Sequence, residues 1–288
     1  MISARLYKFA LAALVVASSI NVNMSVFAYD AKVDELGKQG VDLNNAHKFD
    51  EAIAKFDAAL KLDPKCTDAF VNRAAAYCAK GMFAHAVLDC DEALKLNPKS
   101  KLAFINRAWA WNKLGHFRQA YNDCNHALRL DPGSTMAHIN RANAENFLHM
   151  QRSAIDDATF AIKKKGDVYL AYVNRSHSYA GLGEWDKAMA DADKAIAIDG
   201  HRGMAYNNKA FIYCKMGKLD DALQSCNKAI EANPKLGAAY YNRAKCYQLM
   251  GKSDPANTDL AKARDLGYTN STNLIELSKT ADGEKKKH

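Results

Sequence analysis

The sequence predicts an all-α solenoid of repeated helical hairpins, and three observations support this fold class. Several residue columns recur at a constant step of 34 residues, which predicts tandem copies of one structural unit. Only five prolines and fifteen glycines occur in 288 residues. Alanine-rich stretches take the place of the β-branched alternation that is typical of strands.

Residues 1–28 have the pattern of a secretory signal peptide. Arg5 and Lys8 give a basic start, the stretch Phe9–Ile20 is apolar, and Ala28 ends a small-residue cleavage site. An uncleaved membrane anchor is the alternative, but a spanning helix needs about 20 apolar residues and this stretch is shorter. We therefore expect an exported protein, periplasmic or secreted, with no membrane span after cleavage.

Seven predicted repeats follow without insertion, and position 1 denotes the first residue of each. Each repeat has two helical patterns separated by a turn, where glycine supplies the left-handed residue. Proline, which cannot continue a helix, ends four of the second helices. The predicted repeats are 33–66, 67–100, 101–134, 135–168, 169–202, 203–236 and 237–270, with a capping helix at 271–280 and a disordered basic tail at 281–288.

The repeat also has small residues at positions 8, 20 and 27, glycine at 15, aromatic residues at 4, 11 and 17, and proline at 32. This pattern resembles the tetratricopeptide repeat family over 33–270. The resemblance implies a right-handed superhelix of antiparallel hairpins that binds other proteins and is not an enzyme. Small residues at fixed columns allow neighbouring helices to approach closely.

Most repeats combine an arginine at position 7 with an aspartate at position 23. The first repeat changes both together, to Gln39 and Lys55. We therefore predict ion pairs within repeats, which specify packing more than they add stability. The predicted pairs are Arg73 with Asp89, Arg107 with Asp123, Arg141 with Asp157, Arg175 with Asp191, and Arg243 with Asp259.

No motif for catalysis, cofactor binding or metal binding emerges from the sequence. Nine histidines are scattered over different repeat columns, and the net charge of +8 comes from basic and acidic residues mixed along the chain, which argues against a nucleic-acid face. Among the seven cysteines, a bridge from Cys78 to Cys90 or from Cys214 to Cys226 within a hairpin is doubtful, and Cys226 and Cys246 on adjacent repeats are another candidate pair. The alternative is that the cysteines are free packing residues. We expect no enzyme, no cofactor and no metal site.

First helices are expected to line a groove with their positions 2, 5, 9 and 12. An asparagine column at position 6 resembles the asparagine ladder of O-linked N-acetylglucosamine transferases, and a carboxamide matches one peptide unit of a ligand. Alternatively, these asparagine side chains form hydrogen bonds with neighbouring helices of the protein itself. The candidate binding residues are Asn72, Asn106, Asn140, Asn174, Asn208, Asn242, Val71, Ile105, Ile139, Val173, Trp109, His177 and Phe211.

These patterns predict an exported, non-catalytic scaffold or adaptor. We expect it to hold an extended segment of a protein partner in an apolar groove. The alternative is a structural or self-associating solenoid without a separate peptide ligand.

Overall fold

The computed structural model describes residues 30–268, and all regular secondary structure in this range is helical. The all-α prediction is therefore confirmed. The predicted signal peptide, the capping helix and the basic tail lie outside the described residues. No helix in the range 30–268 is both long enough and apolar enough to cross a membrane.

The chain divides after Asn140 into two compact units. The first unit contains α1 (30–45), α2 (Phe49–Leu62), α3 (Thr67–Lys80), α4 (Phe83–Leu96), α5 (Lys101–Lys113), α6 (Phe117–Leu130) and the start of α7 (Thr135–Phe147). The second unit contains the rest of α7, then α8 (Gln151–Lys165), α9 (Tyr169–Gly181), α10 (Trp185–Ile198), α11 (Gly203–Lys215), α12 (Leu219–Ala232), α13 (Gly237–Leu249) and α14 (Ser253–Asp265).

A residue with left-handed backbone angles at position 15 ends the first helix of each hairpin. Left-handed φ angles of 71° to 79° occur at five glycines at position 15. His47 and His149 occupy the same position in the two repeats that lack this glycine, and both have φ 59°. A side chain in this conformation costs about 1–2 kcal/mol, so these two hairpin turns are strained. The five glycines are Gly81, Gly115, Gly183, Gly217 and Gly251.

Close helix packing rests on small residues. The alanines at positions 20 and 27 are almost completely buried in every hairpin, from Ala52 and Ala59 to Ala256 and Ala263. Gly203 continues this principle at the start of α11, because a Cβ atom there would lie 2.5 Å from the Ala229 carbonyl oxygen. The backbones of α11 and α12 are thus too close for any side chain at this position.

The substitution Gly203→Ala tests this close approach. We expect it to lower the free energy of unfolding by about 1–3 kcal/mol, because the backbone of α12 must move. Gly37→Ala is the matched control, since a Cβ atom on that helical glycine meets nothing within 4 Å. Helix propensity predicts that the control gains about 0.5–1 kcal/mol. Equal stability of both variants in urea unfolding would contradict the packing argument.

The position-7 arginines link helices both within and between repeats. Arg73 donates to Asp89 in its own repeat at 2.8 and 2.6 Å, as predicted, and also to Asp57 of the preceding repeat at 2.5 Å. The second acceptor lies at position 25, which the sequence analysis did not identify. Further bridges of this kind join Arg107 to Asp123 and Asp91, Arg175 to Asp191 and Thr159, and Arg243 to Asp259 and Asn227.

Glu145 is a carboxyl group in the core of the second unit, at a position where five of the other six repeats have an aromatic residue. Its side chain is 1% exposed, and its Oε1 accepts a hydrogen bond of 2.6 Å from Ser153. Its Oε2 has no hydrogen-bond partner among the described residues. Burial and the nearby Asp157 carboxylate, against the effects of Ser153 and Arg141, raise the pKa of Glu145 to about 7.

This carboxyl group predicts a pH dependence of stability. Between the ordinary carboxyl pKa and about 7, the folded chain holds a proton that the unfolded chain has lost, so stability falls as the pH rises through this window. We expect Glu145→Gln, which removes the charge and keeps the shape, to reduce that slope. Urea unfolding of both proteins at pH 5 and pH 8 measures it, and an unchanged slope would assign the dependence to other groups.

The first-helix face

First helices of consecutive repeats pack directly against one another: α3 contacts α5, α9 contacts α11, and α11 contacts α13. Second helices of the same unit make no such contact between residues 49 and 265. Each unit therefore presents a continuous surface of first helices. We call the residues at positions 2, 9 and 13 of these helices, which lie on one stripe at helical spacing, the first-helix face.

In the first unit, α5 and the start of α7 carry large apolar side chains on this face. Leu102 and Met136 at position 2 are 55% and 46% exposed. Trp109 at position 9 is half-buried, and the Lys113 ammonium lies 4.5 Å from the centre of its ring. Large apolar side chains with this exposure on adjacent helices form a surface that a partner can cover.

A depression of about 550 Å³ lies at the start of the same face, between α1 and α3. Its charged lining is mainly acidic, with Asp34, Asp42 and Asp68 against Lys38. Val41, an exposed apolar residue, and the predicted site residue Asn72 also line it. The first unit thus combines an apolar surface with an acidic end.

In the second unit the face is aromatic and basic. Phe147 is 48% exposed, and its ring centre lies 6.0 Å from that of His177. The His177 side chain is partly open to solvent. Protein groups packed around its imidazole remove part of its hydration, and this desolvation lowers the pKa of His177. Phe211 is half-buried, with the Lys215 ammonium 5.5 Å from its ring centre.

Four of the predicted groove residues are core residues instead. Val71, Ile105, Ile139 and Val173, all at position 5, are between 2% and 7% exposed. Around the helix axis, position 5 lies about 60° from position 2, and its side chain points toward the neighbouring helices. Position 13 lies on the same stripe as positions 2 and 9. The expectation that position 5 lines the groove is therefore corrected, and Leu102, Met136, Lys113 and Phe147 are face residues that the candidate set missed.

The asparagine column holds first helices together. Asn106 Nδ2 donates to the Val71 carbonyl at 3.1 Å, Asn140 to Ile105 at 3.2 Å, and Asn208 to Val173 at 2.9 Å. Asn242 instead donates to Asn207 Oδ1 at 2.9 Å. These bonds match the alternative role in which the column bonds to neighbouring helices. Asn140, Asn174 and Asn208 are also buried, which leaves little surface for a ligand.

All seven cysteines carry free thiols. Among residues 30–268, no group of three or more histidine, cysteine, aspartate or glutamate side chains is suited to a metal ion.

Helical hairpins that stack within each unit, with their first helices in contact, define a helical-repeat protein. The chain belongs to the tetratricopeptide repeat family, because four models of this repeat match it at residues 38–101, 169–201, 204–236 and 225–256. A comparison with curated proteins gave no match.

Solved structures show the same fold. A tetratricopeptide repeat protein from Parabacteroides merdae is 22% identical, with a TM-score of 0.65 over 86% of this chain and 98% of that one. PilW, a type IV pilus biogenesis factor, is 20% identical, with a TM-score of 0.55 over 73% of this chain and 97% of that one. The Cut9–Hcn1 hetero-tetramer matches at 17% identity and a TM-score of 0.62, over 80% of this chain and 46% of that one.

The variant Asn208→Ala tests the structural role of the column. It removes the bond to the Val173 carbonyl and leaves a void beside a buried backbone group. We expect the free energy of unfolding to fall by about 1 kcal/mol. Asn257→Ala, at an exposed asparagine of α14, is the control for general effects of the exchange. If urea unfolding shows no difference between the two, the column does not stabilise the stack.

Proposed function

We propose that this protein is an exported, non-catalytic scaffold that holds an extended segment of a protein partner on its first-helix face. The tetratricopeptide fold supports a protein-interaction role. Fold alone does not fix a function, so the proposal depends on the side chains of the face. Export rests on the signal-peptide pattern of residues 1–28.

The exposed apolar row of the first unit carries the proposal. Leu102 and Met136 occupy the same position on α5 and α7, and half of each side chain is open to solvent. Neither is required by the packing columns, because position 2 is Asp68 in the second repeat. Exposed apolar side chains that the packing columns do not require, and that recur at one repeat position, favour binding of an apolar partner segment.

The flanking charges indicate which segment fits. In the first unit, the acidic depression near Asp34 and Asp68 lies at one end of the face, and Lys113 lies beside Trp109. A segment with apolar side chains and a basic residue at one end would complement this unit. Long-range electrostatic attraction between the basic residue of the segment and the acidic end of the face would raise the association rate more than it raises the affinity.

In the Cut9–Hcn1 crystal structure, the matched fold is part of a hetero-tetrameric assembly. This is an analogy between folds. It supports protein binding as the kind of activity and leaves the partner of this chain to experiment.

A double variant tests the proposal. A peptide selected from a random library by the mature chain serves as the probe. We expect Leu102→Ser combined with Met136→Ser to weaken its binding at least about tenfold, since two apolar anchors are lost. Fluorescence anisotropy of the labelled peptide measures the affinity.

The matched control changes apolar residues of similar exposure on second helices. Leu88 and Leu130 are 63% and 42% exposed on α4 and α6 of the same unit. Leu88→Ser with Leu130→Ser should leave peptide affinity unchanged. Equal losses in both double variants would refute a role for the first-helix face.

Light scattering of the same samples tests self-association. A molar mass that falls only in the Leu102/Met136 double variant would identify a second copy of the chain as the occupant of the face.

A further inference from the structure

The three helices α11, α12 and α13 pack against one another, and each carries one cysteine. Cys214 lies on α11, Cys226 on α12 and Cys246 on α13. Cys214 and Cys246 occupy position 12 of one repeat and position 10 of the next. At the same two positions of the fourth and fifth repeats, the side chains are in direct contact, because the Ser178 hydroxyl donates to Asn146 Oδ1 at 2.6 Å. The Cys246 thiol also lies near enough to the thiols of Cys214 and Cys226 for each to affect its pKa. The sequence suggested a pair of Cys226 and Cys246 and made a bridge from Cys214 to Cys226 doubtful, whereas the pair of Cys214 and Cys246 was not predicted.

Accessibility distinguishes the three thiols. Cys226 and Cys246 have no exposed surface, whereas Cys214 is partly exposed. A reagent from solvent therefore reaches Cys214 first. The helices α11 and α13, which carry Cys214 and Cys246, pack directly against each other. A bond between these two sulfur atoms would join consecutive first helices with their packing intact.

We propose that Cys214 and Cys246 form a disulfide in an oxidising environment and thereby fasten α13 to α11. The Cys214 thiolate attacks a low-molecular-mass disulfide, such as glutathione disulfide, which gives a mixed disulfide and releases one glutathione. The Cys246 thiol then loses its proton and attacks the Cys214 sulfur, and the second glutathione leaves. Two cysteine thiols are oxidised, and one glutathione disulfide is reduced to two thiols.

The surroundings of the two thiols disfavour the thiolate form of each. The contact with Cys246, together with burial, raises the pKa of the Cys214 thiol. For Cys246, the contact with Cys214 favours the thiolate, but the contact with Cys226 and burial outweigh it and raise the pKa to about 12. Because the thiolate is the reactive form, the bond forms slowly at neutral pH and faster as the pH rises.

The first unit contains a natural comparison site. Cys78 and Cys90 occupy the repeat positions of Cys214 and Cys226, but Ala110 stands where the third cysteine would be. Ala110 is buried and belongs to a cluster that contains Cys90 and packs against Cys78. This site should form no disulfide, and it shows that alanine is accommodated at the position of Cys246.

Mass spectrometry provides the test. The full chain is incubated with defined ratios of glutathione disulfide to glutathione, and it is then alkylated and digested without reduction. We expect a peptide that links Cys214 to Cys246, lighter by two hydrogen atoms than its reduced parts, and a yield that rises with pH. Its formation should raise the midpoint of thermal unfolding. Cys226→Ala should leave the link intact, and Cys246→Ala should leave Cys214 as a mixed disulfide with glutathione.

The reverse variant, Ala110→Cys, should create a second link, from Cys78 to the introduced cysteine. If Cys214 in the unmodified chain stays a free thiol or a mixed disulfide at every glutathione ratio, the proposal is overturned. A link between Cys226 and Cys246 overturns it equally, because the partly exposed thiol would then have no part in the bond.

Discussion

The close approach of neighbouring helices is the constraint on which the rest of this structure depends. Alanine at positions 20 and 27 of every hairpin, and glycine at Gly203, remove the side-chain volume that would separate the backbones. At such distances, short polar side chains reach the next helix. The amide of Asn208 meets the Val173 carbonyl at 2.9 Å only because α9 and α11 are in direct contact.

Short cross-repeat bonds define how each repeat is placed on the one before it. Arg73 holds Asp89 in its own repeat and Asp57 in the preceding one, so a single side chain fixes both contacts. Such a charge network costs desolvation that its attraction only partly offsets. Burial raises the pKa of the Asp89 carboxyl despite the hydrogen bonds from Arg73, which is consistent with that cost. The network thus specifies packing geometry, while apolar burial supplies most of the stability.

The fold was predictable because its signals are local and repeated. The step of 34 residues, the left-handed glycines and the within-repeat partner of Arg73 all follow from the sequence. The candidate site was only partly predictable. Trp109, His177 and Phe211 lie on the face, but burial of Val71 and its counterparts depends on where the neighbouring first helix lies. The contact between Cys214 and Cys246 likewise depends on packing between repeats, which one hairpin does not encode.

The separation of packing and exposed positions bears on how such a protein recognises a partner. Asparagine and arginine side chains, which would suit a backbone or a carboxylate, are committed to contacts inside the stack. Under the proposed function, recognition is therefore left to residues that the repeat does not constrain, such as Leu102, Trp109 and Phe147. Because these positions are free to vary from repeat to repeat, the fold fixes the spacing of contacts along a partner and the exposed residues fix which partner binds.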